Sequence, residues 1–140
     1  MGTRRRLYIT EADRERLLDL IADQRATMRG SNVYLDALEG EITKAKVVDA
    51  EHVPEEAVTM NSRVRVRDED TGETETYRIV YPEDAGSSDD ALSVFAPIGT
   101  ALFGFRVGDT VTWKVPDGKR RIKIEELLYQ PEAYARKASG

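Results

Sequence analysis

The spacing of apolar residues changes once along this chain, close to residue 55. Before that point apolar side chains recur every three or four residues, as in amphipathic helices, and after it they alternate, as in strands with one buried face. Helices followed by strands predict an α+β fold. We expect a short antiparallel helical hairpin in residues 1–50, a linker in 51–57, about five antiparallel strands around one short helix in 58–129, and a flexible tail in 130–140.

Capping residues delimit the two predicted helices. Thr10 is a good N-cap for the first helix, which carries an apolar stripe at Leu17, Leu18, Ile21 and Met28. The second helix should run to about Val48. Two helices joined by so short a turn must lie side by side.

The tip of this hairpin consists of Met28, Arg29, Gly30, Ser31 and Asn32. Gly30 suits the left-handed conformation at a helix end, and Ser31 or Asn32 can cap the second helix.

The strands of the second region are separated by turn signals. Arg63–Arg67 alternates strictly, and Asp70-Thr71-Gly72 then turns the chain into the return strand. Residues 92–95 form a short apolar strand, and Pro97 opens a short helix over residues 98–103. The last alternating strand slips at Glu125-Glu126, which indicates a bulge.

Composition excludes several classes of site. The chain has no cysteine, so disulfides, thiolate metal sites and cysteine nucleophiles are excluded. No apolar run approaches the ~20 residues of a membrane span, and we expect a cytoplasmic protein. The net charge of −5 arises in residues 51–140, which disfavours direct nucleic-acid binding and favours a protein partner.

Isolated polar residues offer little chemistry. His52 is the only histidine and has no evident companion ligand, so we expect a plain surface residue. The acids of loop 83–90 lack the spacing of an EF-hand. The stripe of Arg63, Arg65 and Arg67 resembles a phosphate-binding face, but neighbouring acids favour a solvated face with charge pairs. We expect Trp113 to be a core residue.

Three phenylalanines cluster around Pro97: Phe95, Phe103 and Phe105. A core of ~70 residues need not accommodate them all, and an exposed apolar patch marks a partner site. Core and patch both remain open interpretations at this point.

Several of these segments resemble a known family. The order and spacing of one set are similar to the C-terminal domain of the Gre transcript-cleavage factors: Tyr77-Arg78-Ile79-Val80, Ser93-Val94, Ala96-Pro97-Ile98-Gly99, Leu102, Gly104 and Gly108-Asp109. A second set is closer to the Rnk family, the regulators of nucleoside diphosphate kinase: Val58-Thr59-Met60-Asn61-Ser62-Arg63-Val64 and Tyr129-Gln130-Pro131-Glu132-Ala133.

The resemblance implies an FKBP-like C-terminal domain that docks on the rim of the secondary channel of RNA polymerase. The hairpin would then point toward the channel. In Gre factors the hairpin is longer, and paired carboxylates at its tip help to hold a catalytic magnesium ion. Here the tip has no carboxylate and carries Arg29, while Asp23 lies roughly 10 Å down the helix axis. We therefore expect no catalytic residue, no metal and no cofactor.

The docking surface departs from the family pattern as well. Gre factors place a polar residue and a serine before the proline, whereas this chain has Phe95-Ala96. The residues expected to contact the polymerase are Phe95, Ala96, Pro97, Ile98, Phe103 and Phe105.

The predicted function is that of a monomeric, non-catalytic transcription regulator that binds RNA polymerase and competes with Gre factors. One alternative is an active cleavage factor in which Asp23 or Asp36 reaches the active centre. The other is an FKBP-like peptidyl-prolyl isomerase, although fold alone does not carry function.

Overall fold

The computed structural model describes residues 7–30, 32–115 and 118–139. Its architecture confirms the α+β prediction, with a helical hairpin followed by a five-stranded sheet. The elements are β1 (Tyr8–Ile9), α1 (Glu11–Thr27), α2 (Val33–Lys44), β2 (Lys46–Val47), β3 (Arg63–Asp68), β4 (Thr74–Val80), β5 (Ala91–Ser93), α3 (Pro97–Leu102), β6 (Thr110–Val115), β7 (Gly118–Tyr129) and α4 (Pro131–Ser139). Single 3-10 turns lie at Ala50–His52 and Pro82–Asp84.

Each helix of the hairpin has an N-cap residue whose side chain accepts hydrogen bonds, as the sequence predicts. The Thr10 hydroxyl accepts a hydrogen bond from the Asp13 amide at 3.3 Å. Asn32 Oδ1 accepts from the amides of Tyr34 at 2.9 Å and Leu35 at 3.1 Å. Each cap satisfies amides that have no partner within the helix. Gly30 has the expected positive φ of 77°, and Ser31 lies outside the described residues.

The second helix ends earlier than predicted, at Lys44 instead of Val48. The next residues leave the helix because their amides bond to another segment: Lys46 N donates to Leu7 O at 2.8 Å, and Val48 N donates to Ile9 O at 2.9 Å. β1 and β2 thereby form a small parallel pair. No short-range pattern predicts this pair, because its strands are separated by the whole hairpin.

The main sheet has the strand order β5-β4-β3-β7-β6. Its pairs are antiparallel except for β4 and β5, which run parallel. The prediction of a wholly antiparallel sheet is therefore wrong at this edge. The ten residues between Val80 and Ala91 are too many for a tight hairpin turn, and they bring the chain back so that β5 starts beside Arg78.

The predicted bulge in the last strand is present. Val66 pairs with Ile124 and Arg65 pairs with Glu126, so Glu125 is the extra residue. An extra residue bends the strand and shifts the alternation of its side chains. The turn before this strand, at 116–117, and the side chain of Trp113 lie outside the described residues.

One contiguous apolar core joins the hairpin to the sheet. The hairpin contributes Leu17, Ile21, Leu35, Leu38 and Ile42. The second region contributes buried residues from its strands, from α3 and from the segments beside them: Val58, Met60, Val64, Val66, Ile79, Tyr81, Val94, Leu102, Phe103, Phe105, Val111, Ile122 and Ile124. The hairpin therefore packs on the second region, with α2 against α3, and does not stand apart from it.

The prediction of a flexible tail is wrong, since Pro131–Ser139 forms α4. The start of this helix is tied to residues far away in sequence. Gln130 Nε2 donates to the carbonyls of Pro54 at 2.7 Å and Ala57 at 2.8 Å, and Thr59 Oγ1 donates to Glu132 Oε1 at 2.8 Å. The same contacts hold the predicted linker, so the two Rnk-like motifs meet in space.

Gly99 in α3 is predicted to tolerate no side chain. A Cβ placed there would lie 2.2 Å from the Ser93 carbonyl oxygen, a backbone atom that cannot move aside. We expect Gly99→Ala to reduce the free energy of unfolding by about 1–3 kcal/mol or more, as overpacking does. Chemical denaturation measures this change.

Gly40→Ala in α2 is the matched control. Gly40 has nothing within 4 Å of the added Cβ, and alanine favours a helix interior by roughly 0.5–1 kcal/mol. It should stabilise the protein. Equal effects of the two changes would contradict the close approach of α3 to the sheet.

Candidate functional site

The hairpin tip is small and has no acidic residue. Met28 packs partly against the core, whereas Arg29 and Gly30 are exposed. Asn32 is occupied in capping α2, and Val33 beside it is 71% exposed. The tip therefore offers a cation and an apolar surface to whatever it meets.

The acids nearest to the tip differ in their surroundings. Asp36 Oδ1 accepts a hydrogen bond from Arg25 Nη2 at 2.7 Å, and the same guanidinium bonds Glu39 Oε1 at 2.7 Å. These bonds cross from α1 to α2 and hold the hairpin closed. Asp23 is exposed on α1.

The predicted docking residues divide into a buried and an accessible set. Phe103 is 1% exposed and Phe105 is 9% exposed, and both belong to the core. Their burial favours the core interpretation of these two residues over that of an exposed patch. Pro97 is exposed, while Phe95 and Ile98 are half-buried against the core.

The accessible set, which also includes the half-buried Ala96, is held in one conformation. Ser93 Oγ accepts from the Phe95 amide at 3.0 Å, and Thr100 Oγ1 donates to the Val94 carbonyl at 2.6 Å. Ala96 is the N-cap of α3 but has no side chain that can cap it. We call Phe95, Ala96, Pro97 and Ile98 the α3 patch.

The arginine stripe on β3 is neutralised, as predicted. Arg65 bonds Glu125 at 3.3 Å and Glu126 at 2.7 Å, Arg67 bonds Glu125 at 2.5 Å, and Arg63 bonds Asp90 at 2.9 Å. The bulge at Glu125 places this carboxylate between two arginines. Paired arginines leave little field for phosphate.

His52 is less isolated than the sequence suggested. The turn after β2 carries three exposed side chains whose potential metal-ligand atoms lie within 4.8 Å of one another: Asp49, Glu51 and His52. The statement that His52 lacks companions is therefore corrected. In loop 83–90, Asp90 is bonded by Ser88 and Arg63.

A groove between β7 and α4 was missed by sequence reasoning. Leu128, Tyr129 and Tyr134 line it and are among the exposed large apolar residues, and the two tyrosine rings lie 5.6 Å apart. The pair of tyrosines was a visible signal in the sequence, but it was overlooked because residues 130–140 were expected to be flexible.

Among the described helices, none combines the length and apolarity that crossing a membrane requires.

The ion pairs of Glu125 with Arg65 and Arg67 predict a pH dependence of stability. The guanidinium groups of Arg67 and Arg65 hold the pKa of the Glu125 carboxyl below its ordinary value. Glu125 therefore stabilises the fold above its unfolded pKa of about 4.3, and this is lost as pH falls through the folded pKa. Between about pH 5 and 3, we expect the free energy of unfolding to fall more steeply for the wild type than for Glu125→Gln.

Urea denaturation at a series of pH values measures this difference. Glu15→Gln changes an exposed glutamate on α1 and should keep the wild-type slope. Parallel curves for the wild type and Glu125→Gln would show that these ion pairs do not contribute to the pH dependence of stability.

Comparisons with known proteins agree with the two parts of the fold. Residues 53–129 match the family "Transcription elongation factor, GreA/GreB, C-term", and residues 5–48 match the family "Rnk N-terminus". The regulator of nucleoside diphosphate kinase from Escherichia coli K12 is 40% identical over 128 residues, covering 91% of this chain and 92% of that protein.

Transcription factors show the same similarity. Transcription elongation factor GreA of Thermoanaerobacter pseudethanolicus is 38% identical over 109 residues, which cover 78% of this chain and 68% of that protein. The solved structure of a prokaryotic transcription elongation factor GreA/GreB from Nitrosomonas europaea aligns with a TM-score of 0.74 at 39% identity, covering 89% of this chain and 99% of the other. The chain therefore belongs to the Rnk family, the regulators of nucleoside diphosphate kinase, and its C-terminal region is that of the GreA/GreB transcription elongation factors.

Proposed function

We propose that this protein binds RNA polymerase at the rim of the secondary channel as a monomer. There it competes with Gre factors and does not stimulate transcript cleavage. The observation that carries the proposal is a Gre-type C-terminal region joined to a short hairpin whose tip presents Arg29 and no carboxylate.

The hairpin tip lacks the carboxylates that metal-assisted cleavage needs. Magnesium binding requires oxygen ligands that are free to coordinate. Asp36 is bonded to Arg25, which competes for its carboxylate. With 12 residues, α2 is about 18 Å long at 1.5 Å per residue, so the arm also has little reach.

The α3 patch is the proposed polymerase contact. Pro97 projects from it into solvent, and the apolar Phe95 and Ile98 flank it on a rigid support. A rigid apolar surface binds without a large cost of ordering. An FKBP-like arrangement, in which α3 lies across one face of the sheet, would present this patch at the edge of the domain.

Competition tests the proposal directly. The protein is titrated against a labelled Gre factor bound to core RNA polymerase, and displacement is followed by fluorescence anisotropy. We expect displacement at micromolar protein, and absence of association at these concentrations would refute the proposal. Pro97→Glu places a charge in the α3 patch and should weaken displacement roughly ten-fold, equivalent to about 1.4 kcal/mol.

Leu128→Glu is the matched control for that variant. It adds the same charge to another exposed apolar residue, in the groove beside α4. Its displacement curve should superimpose on that of the wild type. Weakening by both variants alike would place the polymerase contact elsewhere or show a general effect of charge.

A cleavage assay separates the proposal from the active-factor alternative. With polymerase stalled on a backtracked transcript, we expect the protein to reduce Gre-stimulated cleavage and to produce no cleavage when added alone. Cleavage by the wild type that disappears in Asp23→Ala or Asp36→Ala would instead establish an active factor. Asp19→Ala, which changes a more distant acid on α1, serves as the control.

The isomerase alternative is disfavoured by the shape of the sheet. The cleft between the sheet and α3 is lined by residues that include Val66, Tyr77, Ile98 and Ile122, and its volume is only about 10 Å³. That is room for roughly one water molecule. A prolyl peptide does not fit there.

A further inference from the structure

Tyr81 connects the sheet to the hairpin through its hydroxyl group. It directly follows β4, is 2% exposed, and donates a hydrogen bond to Asp13 Oδ1 of α1 at 2.6 Å. Burial, with a further contribution from Asp13, raises the pKa of Tyr81 well above its ordinary value. The hydroxyl therefore remains a donor throughout the neutral range.

The ring of Tyr81 holds a second residue of α1. The guanidinium carbon of Arg16 lies 3.7 Å from the ring centroid, within the range of a cation–π interaction. Arg16 also forms an ion pair with Glu83, in the turn after Tyr81. Two residues on the first turns of α1 are thus bound at one point of the sheet domain.

These contacts differ in kind from the apolar contacts of the hairpin. Leu17, Ile21 and Leu38 bury the hairpin on the core, but the hydrophobic effect is non-directional and tolerates sliding and rolling of a helix. A hydrogen bond loses its energy steeply with angle. The contacts at Tyr81 therefore select one orientation among those that the apolar packing allows.

We propose that Tyr81 is the positioning residue that fixes the direction of the helical hairpin relative to the sheet. The consequence for activity rests on the proposed function, because a hairpin that must enter a channel has to point along it. Without Tyr81's contacts only a fraction of molecules would carry the hairpin in the competent direction, and the apparent affinity falls by that fraction.

A distance measurement between spin labels tests the inference without any partner. The chain has no cysteine, so Ala26→Cys on α1 and Thr74→Cys on β4, both exposed, accept labels selectively. We expect a single narrow distance distribution in the otherwise wild-type chain and a broader or shifted one in Tyr81→Phe. An unchanged distribution would overturn the inference.

Tyr77→Phe is the control for loss of a tyrosine hydroxyl. Tyr77 donates to Glu75 on its own strand at 3.1 Å and makes no described contact with the hairpin. Its distance distribution should remain that of the wild type. Equal broadening in both variants would mean that loss of any such hydroxyl loosens the sheet, and Tyr81 would have no special role.

A second variant covers the case in which Tyr81→Phe does not fold. Asp13→Ala removes the acceptor from the hairpin side and leaves the buried ring in place. Glu11→Ala, which removes another first-turn acid of α1, controls for the loss of negative charge near the helix start. Broadening in Asp13→Ala alone supports the inference, and a wild-type distribution in Asp13→Ala contradicts it.

Displacement of a Gre factor from polymerase then reports the functional consequence. We expect Tyr81→Phe to require roughly ten-fold more protein than the wild type, and Tyr77→Phe to require the same amount as the wild type. If the wild type fails to displace the Gre factor, the proposed function falls, and the distance distributions still decide the role of Tyr81.

Discussion

Burial of the hairpin's apolar stripe in the core that it shares with the second region is the interaction on which the remaining structure depends. Leu17, Ile21, Leu35, Leu38 and Ile42 are at most 3% exposed, and each stabilises the fold by about 1.5–3 kcal/mol when buried. A hairpin of this length is marginal in water by itself. Because its stripe is used in the core, the hairpin has only its tip and its polar outer face left for a partner.

Ion pairs on the surface join elements that the apolar core already brings together. Arg25 joins the two helices through Asp36 and Glu39, and Glu125 joins two arginines of β3. Exposed ion pairs of this kind contribute little stability singly, yet they remove free charge from the surface. The protein therefore has neither a field for nucleic acid on β3 nor an unengaged carboxylate at Asp36.

The Gre-type sheet and the short hairpin together support the proposed function. A regulator homologous to the GreA/GreB transcription factors retains the C-terminal sheet but carries a short arm with a cationic tip. The proposed competitor needs only a docking surface and an arm held in a fixed direction. The α3 patch and the contacts of Tyr81 correspond to these two requirements.

Local patterns determined the helices with their caps, the β3–β4 hairpin, the proline-started α3 and the bulge at Glu125, because each depends on residues adjacent in sequence. The absence of carboxylates at the tip was equally plain from the chain alone. Only the tertiary structure decided that Phe103 and Phe105 are core residues, that β5 runs parallel to β4, and that residues 131–139 form a helix. Burial and long-range hydrogen bonds, such as that from Thr59 to Glu132, join residues far apart along the chain, and no local spacing encodes them.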